Sequence, residues 1–144
     1  MSLKIDLHIH TESYGKTYIG ERELNEAFRR NSLDGVAVTN FFDLSHAQWL
    51  RKRLTDHIII VGQEIWTREG HMLGLGLQET IPDSLSAEDT IALIHDQRGI
   101  AIVPHPFLFL GVGNHVTQLA VDAIETYNGL MGMSFIFNYL AERM

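Results

Sequence analysis

Short β-branched runs, each ending in a polar or glycine-containing segment, alternate along this chain with stretches of helical periodicity, and that rhythm points to an α/β fold. The runs read as strands over Lys4 to His10, Gly35 to Thr39, His57 to Val61, His71 to Leu77, Ile100 to Pro104 and Asp122 to Tyr127. Between them, Glu21 to Asn31 carries Leu24, Ala27 and Phe28 at helical spacing. Glu21 and Glu23 stand near its start and Arg29 and Arg30 near its end, as the helix dipole favours. Leu44 to Leu54 repeats the pattern, with Ser45 as its cap. Ser86 to Arg98 adds an approximate capping box, Ser86 with Asp89, and a terminating Gly99. Met131 to Met144 is the last helical stretch. No internal repeat, low-complexity segment or linker interrupts the series, so the 144 residues are expected to form one domain.

Composition narrows the chemistry. With 45% apolar and 20% charged residues the chain resembles an ordinary globular protein, which argues against disorder and against a disulfide scaffold. No apolar run approaches the roughly 18 residues of a membrane span, and a soluble, cytoplasmic protein without a membrane partner is expected. There is no cysteine, so any metal must be held by His, Asp or Glu, and the eight histidines become the residues to place. A net charge of −7, with no basic run longer than Arg51-Lys52-Arg53, argues against an extended nucleic-acid partner and for a small substrate. A phosphorylated one is compatible, because a bound metal can supply the missing positive charge.

The most specific local pattern is Asp6-Leu7-His8-Ile9-His10. Residues two apart on a strand point to one face, so His8 and His10 can chelate a single ion. Glu64 follows the apolar run Ile58 to Gly62, at the kind of strand end where functional groups gather in α/β proteins. If Glu69-Gly70 makes a two-residue turn, Arg68 lies opposite His71, and Glu64, Trp66, Arg68 and His71 share a face. His105, between Pro104 and Pro106, is held at the end of Ile100 to Val103. A closed sheet would gather His8, His10, Glu64, His71 and His105 around one site. By contrast, His46, His57, His95 and His115 read as structural or solvated, and Phe107, Phe109, Phe135 and Phe137 as core or interface. Nucleophile-elbow, Walker and dinucleotide patterns are absent, so no nucleotide cofactor is expected.

Taken together these strings resemble the polymerase and histidinol phosphatase (PHP) superfamily of metal-dependent phosphoesterases. The likeness runs through Asp6 to Thr11, Leu33 to Thr39, Gly62 to Ile65, Glu69 to Gly74, Pro104 to Phe107 and Asp122 to Asn128. It implies a distorted (β/α)7 barrel and two or three divalent ions, commonly manganese, zinc or iron. His8 and His10 would bind one ion, Glu64 would bridge it to a second, and His71 and His105 would complete the second. The chemistry implied is hydrolysis of a small phosphomonoester or nucleotide by a water whose pKa is lowered from near 16 towards about 7. A metal-binding module without turnover is the alternative.

Departures from the family pattern accompany the likeness. Asn40-Phe41 stands where the family has Asp-His, so a third metal site loses a ligand, and Ser13 to Lys16 supplies none either. The chain also stops within the helix that precedes the family's closing Ser-Asp-Ala-His motif. The barrel is therefore expected to be incomplete at its C-terminal side, whether cut from a longer protein, shortened in nature, or completed as a homo-oligomer in which another copy covers the exposed sheet edges.

Overall fold

The computed structural model describes residues 2–13, 17–129 and 134–143, without side chains for 12, 13, 17, 18 and 134–137. In chain order the elements are β1 (Ile5–Ile9), β2 (Glu12–Ser13), β3 (Thr17–Tyr18), α1 (Glu21–Asn31), β4 (Gly35–Val38), α2 (Ser45–Arg53), β5 (Ile58–Trp66), β6 (His71–Leu75), α3 (Ala87–Asp96), β7 (Ile100–Val103), a 3-10 helix (Gly113–Gln118), β8 (Ala123–Ile124) and α4 (Ser134–Ala141). Most lie where the periodicity places them, with strands a residue or more shorter at their ends. Strand β5 is the exception, because it continues through Glu64 to Trp66 as one arm of a hairpin. Met131 to Met133, Met144 and residues 14–16 lie outside the described residues, as do the Phe135 and Phe137 side chains.

The barrel expectation is overturned by the sheet. Six strands in the order β1-β4-β5-β6-β7-β8 form one curled, mixed half-barrel, with four α-helices among the described residues, rather than a (β/α)7 barrel. The pairs β1–β4, β4–β5 and β7–β8 are parallel, but β5–β6 and β6–β7 are antiparallel. A (β/α)7 barrel needs a helical crossover between successive parallel strands, and the turn between Trp66 and His71 is too short to make one. The Glu69-Gly70 turn already carried that conflict in the sequence. Because β1 and β8 end the order of strands, their edges stand apart, and Ile5, Leu7 and His8 on one side face Ile124, Glu125 and Tyr127 on the other across a cleft of about 300 Å³.

Helices α1, α2 and α3 cover one face of the sheet. Leu24, Phe28, Leu50, Ile91 and Ile94 join Val36, Val38, Ile59, Val61 and Val103 in the main core. Burying such a side chain contributes about 1.5–3 kcal/mol each. Ala37, Leu73, Leu75 and Ile102 form a smaller cluster on the other face, inside the curl. Helix α1 starts with the Glu23 carboxylate accepting the Gly20 N–H and ends with Ser32 in a left-handed conformation. At α2 the cap falls on Leu44 rather than Ser45, and the Asp43 carboxylate accepts both the N–H and the hydroxyl of Ser45. Ser86 caps α3 by accepting the Asp89 N–H. Of the aromatic group, Phe107 is half-buried and Phe109 is 82% exposed.

Candidate metal centre

Each candidate ligand occupies a strand end because the backbone pins it there. Strand β1 pairs with β4 as far as Ile9↔Val38, leaving His8 and His10 at its C-terminal end. Glu64 N–H donates to the carbonyls of Thr39 and Asn40, which fixes the carboxylate beside the end of β4. Its neighbour Gln63 points to the opposite face, as strand alternation requires, and exchanges two hydrogen bonds with the backbone of Ile81.

The hairpin register differs by two residues from the expected one. Trp66, not Arg68, lies opposite His71, and Thr67 to Gly70 make the turn. A shift of two keeps every side chain on its face, so Glu64, Trp66 and His71 still point together. Gly70 permits the turn: its φ is +147°, and a Cβ there would come within 2.8 Å of the Gly111 and Val112 backbone. His105 follows β7 with φ +28°, a left-handed conformation uncommon for a residue with a side chain.

The structure brings all five together around Glu64, which is 2% exposed. Its two oxygens divide the imidazoles between them. Oε2 faces His10 Nε2 at 2.7 Å and His8 Nε2 at 3.3 Å, while Oε1 faces His71 Nδ1 at 2.7 Å and His105 Nε2 at 3.2 Å. His71 Nδ1 meets Oε1 outside hydrogen-bond alignment, and its Nε2 has no hydrogen-bond partner. Buried imidazole nitrogens converging on one carboxylate, with hydrogen bonds only partly satisfied, fit a site built for cations. The groups that could hold an ion are His8, His10 and Glu64 on one side and Glu64, His71 and His105 on the other. Such nitrogen and oxygen donors, free of thiolate, suit manganese, zinc or iron better than calcium.

Electrostatics follow the same division. Burial works against the charge on Glu64, yet the four imidazoles that face its oxygens, His10 foremost, outweigh it and hold the carboxyl well below the usual range. Burial also works against the His8 imidazolium, but the Glu125 and Glu64 carboxylates raise its pKa from 6.5 to about 9.

Glu125 is the residue that sequence reasoning missed as a member of the centre. It follows β8, with its N–H bonded to the Val103 carbonyl, and its Oε1 lies 3.2 Å from His8 Nδ1. A third possible group, His8, His105 and Glu125, shares both its histidines with the other two. The signal was present: Glu125, like Glu64, is a carboxylate just past an apolar strand.

The Phe41 ring packs against the cluster, 4.7 Å from the ring of His10 and 5.7 Å from that of His71. Asn40 instead turns to Thr11, accepting its N–H and donating to its hydroxyl. The other histidines lie in none of these groups. His46 Nδ1 lies 2.7 Å from the Thr11 hydroxyl and His57 stacks on Phe28, while His95 pairs with Asp122 and His115 with Glu88.

No family model matches the chain. The uncharacterized protein MJ1587 of Methanocaldococcus jannaschii is 32% identical over 143 residues, covering 88% of this chain and 82% of that protein. The chain belongs to the MJ1587 family. A second protein of the same organism, the uncharacterized protein MJ0417, is 29% identical over 108 residues, covering 73% of this chain and 40% of that protein. The chain thus matches less than half of MJ0417. No helix among the described residues is long and apolar enough to cross a membrane.

Proposed function

We propose that this chain is a divergent PHP-superfamily phosphoesterase that hydrolyses a small phosphomonoester or nucleotide at the Glu64 centre. The observation that carries the reading is the division of one buried carboxylate between two imidazole pairs, His8 with His10 and His71 with His105. Divalent ions held by these two sets would supply Lewis acidity towards a phosphoryl oxygen and an ionised water near neutral pH.

The chain's own groups do the positioning. Glu64 places the two imidazole pairs on opposite oxygens, and its backbone bonds to Thr39 and Asn40 keep it from turning. Phe41 lays an apolar ring against His10 and His71, one from each pair. Among the described residues no Lys or Arg pairs with Glu64 or Glu125. In a chain of net charge −7, a phosphate would depend on bound cations for its attraction. The same proposal takes the protein as cytoplasmic, with a small phosphorylated substrate and a second copy covering the open edges of β1 and β8.

Metal analysis with a phosphomonoester assay tests it. Hydrolysis is expected to require added manganese or zinc, to stop on chelation, and to vanish in a His8→Ala, Glu64→Ala double variant. Metal-independent hydrolysis, or activity that survives both substitutions, would contradict it.

One observation favours a second reading, a binding module without turnover: Phe41 puts a ring that cannot coordinate metal against His10. Tight metal binding with no hydrolysis across a broad phosphoester panel would support that reading, and robust turnover would end it.

A further inference from the structure

The open seam of the half-barrel sets a problem for the centre. His8 stands on β1, an edge strand, yet it must be held as firmly as ligands on paired strands. Elsewhere the ligand-bearing strands are joined by backbone ladders, β1 to β4, β5 to β6 and β6 to β7. Across the seam, β1 and β8 are not neighbours in the sheet. Among the described residues a side-chain contact spans it, His8 Nδ1 to Glu125 Oε1 at 3.2 Å.

Glu125 is itself well anchored. Its second oxygen accepts the His105 N–H at 2.7 Å, and the Asn128 amide donates to both oxygens at 3.2 and 3.3 Å. Asn128 is tied in turn to the largely buried Asn138 of α4, whose Oδ1 accepts the Asn128 N–H at 3.0 Å and whose amide reaches the Asn128 carbonyl at 3.4 Å. The network therefore runs from α4 to two of the four imidazole-bearing residues.

An imidazole that binds a cation through one nitrogen is oriented by what the other nitrogen donates to. We propose that Glu125, braced by Asn128, is a positioning residue that clasps the open seam. By accepting the Nδ1–H of His8 it leaves Nε2 as the ligand atom beside Glu64, and by accepting the His105 N–H it holds that residue in its left-handed conformation. The inference rests on the metal-centre reading and adds to it a residue that touches neither ion. Direct ligation by Glu125, in the group it forms with His8 and His105, is the competing arrangement.

The test uses the full chain as wild type, Glu125→Ala and the isosteric Glu125→Gln, each checked for folding by circular dichroism. In the metal-free protein, nitrogen-edited NMR is expected to show an exchange-protected His8 Nδ1–H that Glu125→Ala removes. Zinc titration is expected to give an unchanged number of ions with affinity about 10–100-fold weaker in Glu125→Ala, and Glu125→Gln, which keeps an acceptor oxygen, between the two. An unprotected His8 Nδ1–H in the wild type, or equal zinc affinity in all three proteins, would overturn the positioning role while leaving the centre intact. Loss of one whole ion in both variants would overturn it in favour of direct ligation. A wild type that takes up no zinc would remove the metal-centre reading itself, and this role with it.

Discussion

The two halves of the centre share one carboxylate and are held in different ways. On the Oε1 side, His71 opens β6 within an antiparallel hairpin, and His105 follows β7, which is paired on both sides. On the Oε2 side, His8 and His10 end β1, which among the described residues pairs only with β4 and presents its other edge to the cleft. Where ladders run on both sides the backbone sets ligand geometry; at the seam, the Glu125 side chain must supply what a neighbouring strand would. The β1 half should accordingly be the one that polar substitutions loosen.

Removing the shared group is expected to have the largest effect. Glu64→Ala should weaken metal binding on both sides by more than the ~10–100-fold typical of an outer partner, since it removes a donor from each set, and calorimetric titration reads it directly. Substitution within one half sharpens the comparison. His71→Ala should lower the metal content by about one ion per chain and also cost about 0.5–3 kcal/mol in urea unfolding, because the side chain is buried in a paired region. His10→Ala, on a half-buried residue, should lower the metal content similarly with little change in stability.

The pH dependence of the metal-free protein separates the halves again. The His8 pKa is raised to about 9, so its stabilising contribution is fully present below the unfolded value near 6.5 and is lost as pH rises through about 9. The shift corresponds to on the order of 3 kcal/mol. Glu64 acts in the opposite sense: its depressed pKa contributes stability above its unfolded value near 4.5 that is lost as pH falls. Urea midpoints with chelator present should therefore be highest between about pH 5 and 6.5 and decline towards pH 9.5. Glu125→Gln should flatten the alkaline decline, because it removes one of the two carboxylates that raise His8. The smallest effect belongs outside the centre. His95→Ala removes a half-exposed pair with Asp122 and should leave stability nearly unchanged and metal content wholly so.

Much of the centre was legible in the sequence because its residues sit at ends of apolar runs, and period-two alternation survives small errors. The hairpin register was displaced by two residues, and Glu64 and His71 still fell on one face. Glu125 was missed because the run read as a strand, Asp122 to Tyr127, extends past it whereas β8 ends at Ile124, and because its partner His8 is 117 residues away. Closure of the sheet was misread for a related reason. Local patterns distinguish strand from helix, but strand direction depends on connections, and the short turn between Trp66 and His71 makes β5 and β6 antiparallel where a (β/α)7 barrel needs parallel strands. Ser45 shows the same limit at smaller scale, since it is the first residue of α2 and donates its N–H and hydroxyl to Asp43 instead of capping the helix.

The central claim is that one buried carboxylate organises two cation sites. Metal stoichiometry of the purified chain after manganese or zinc loading and desalting, measured by elemental analysis beside Glu64→Ala, tests it most directly. Two ions per wild-type chain and none retained by the variant is the result predicted; a wild type without bound metal, or a variant that keeps both ions, would contradict it.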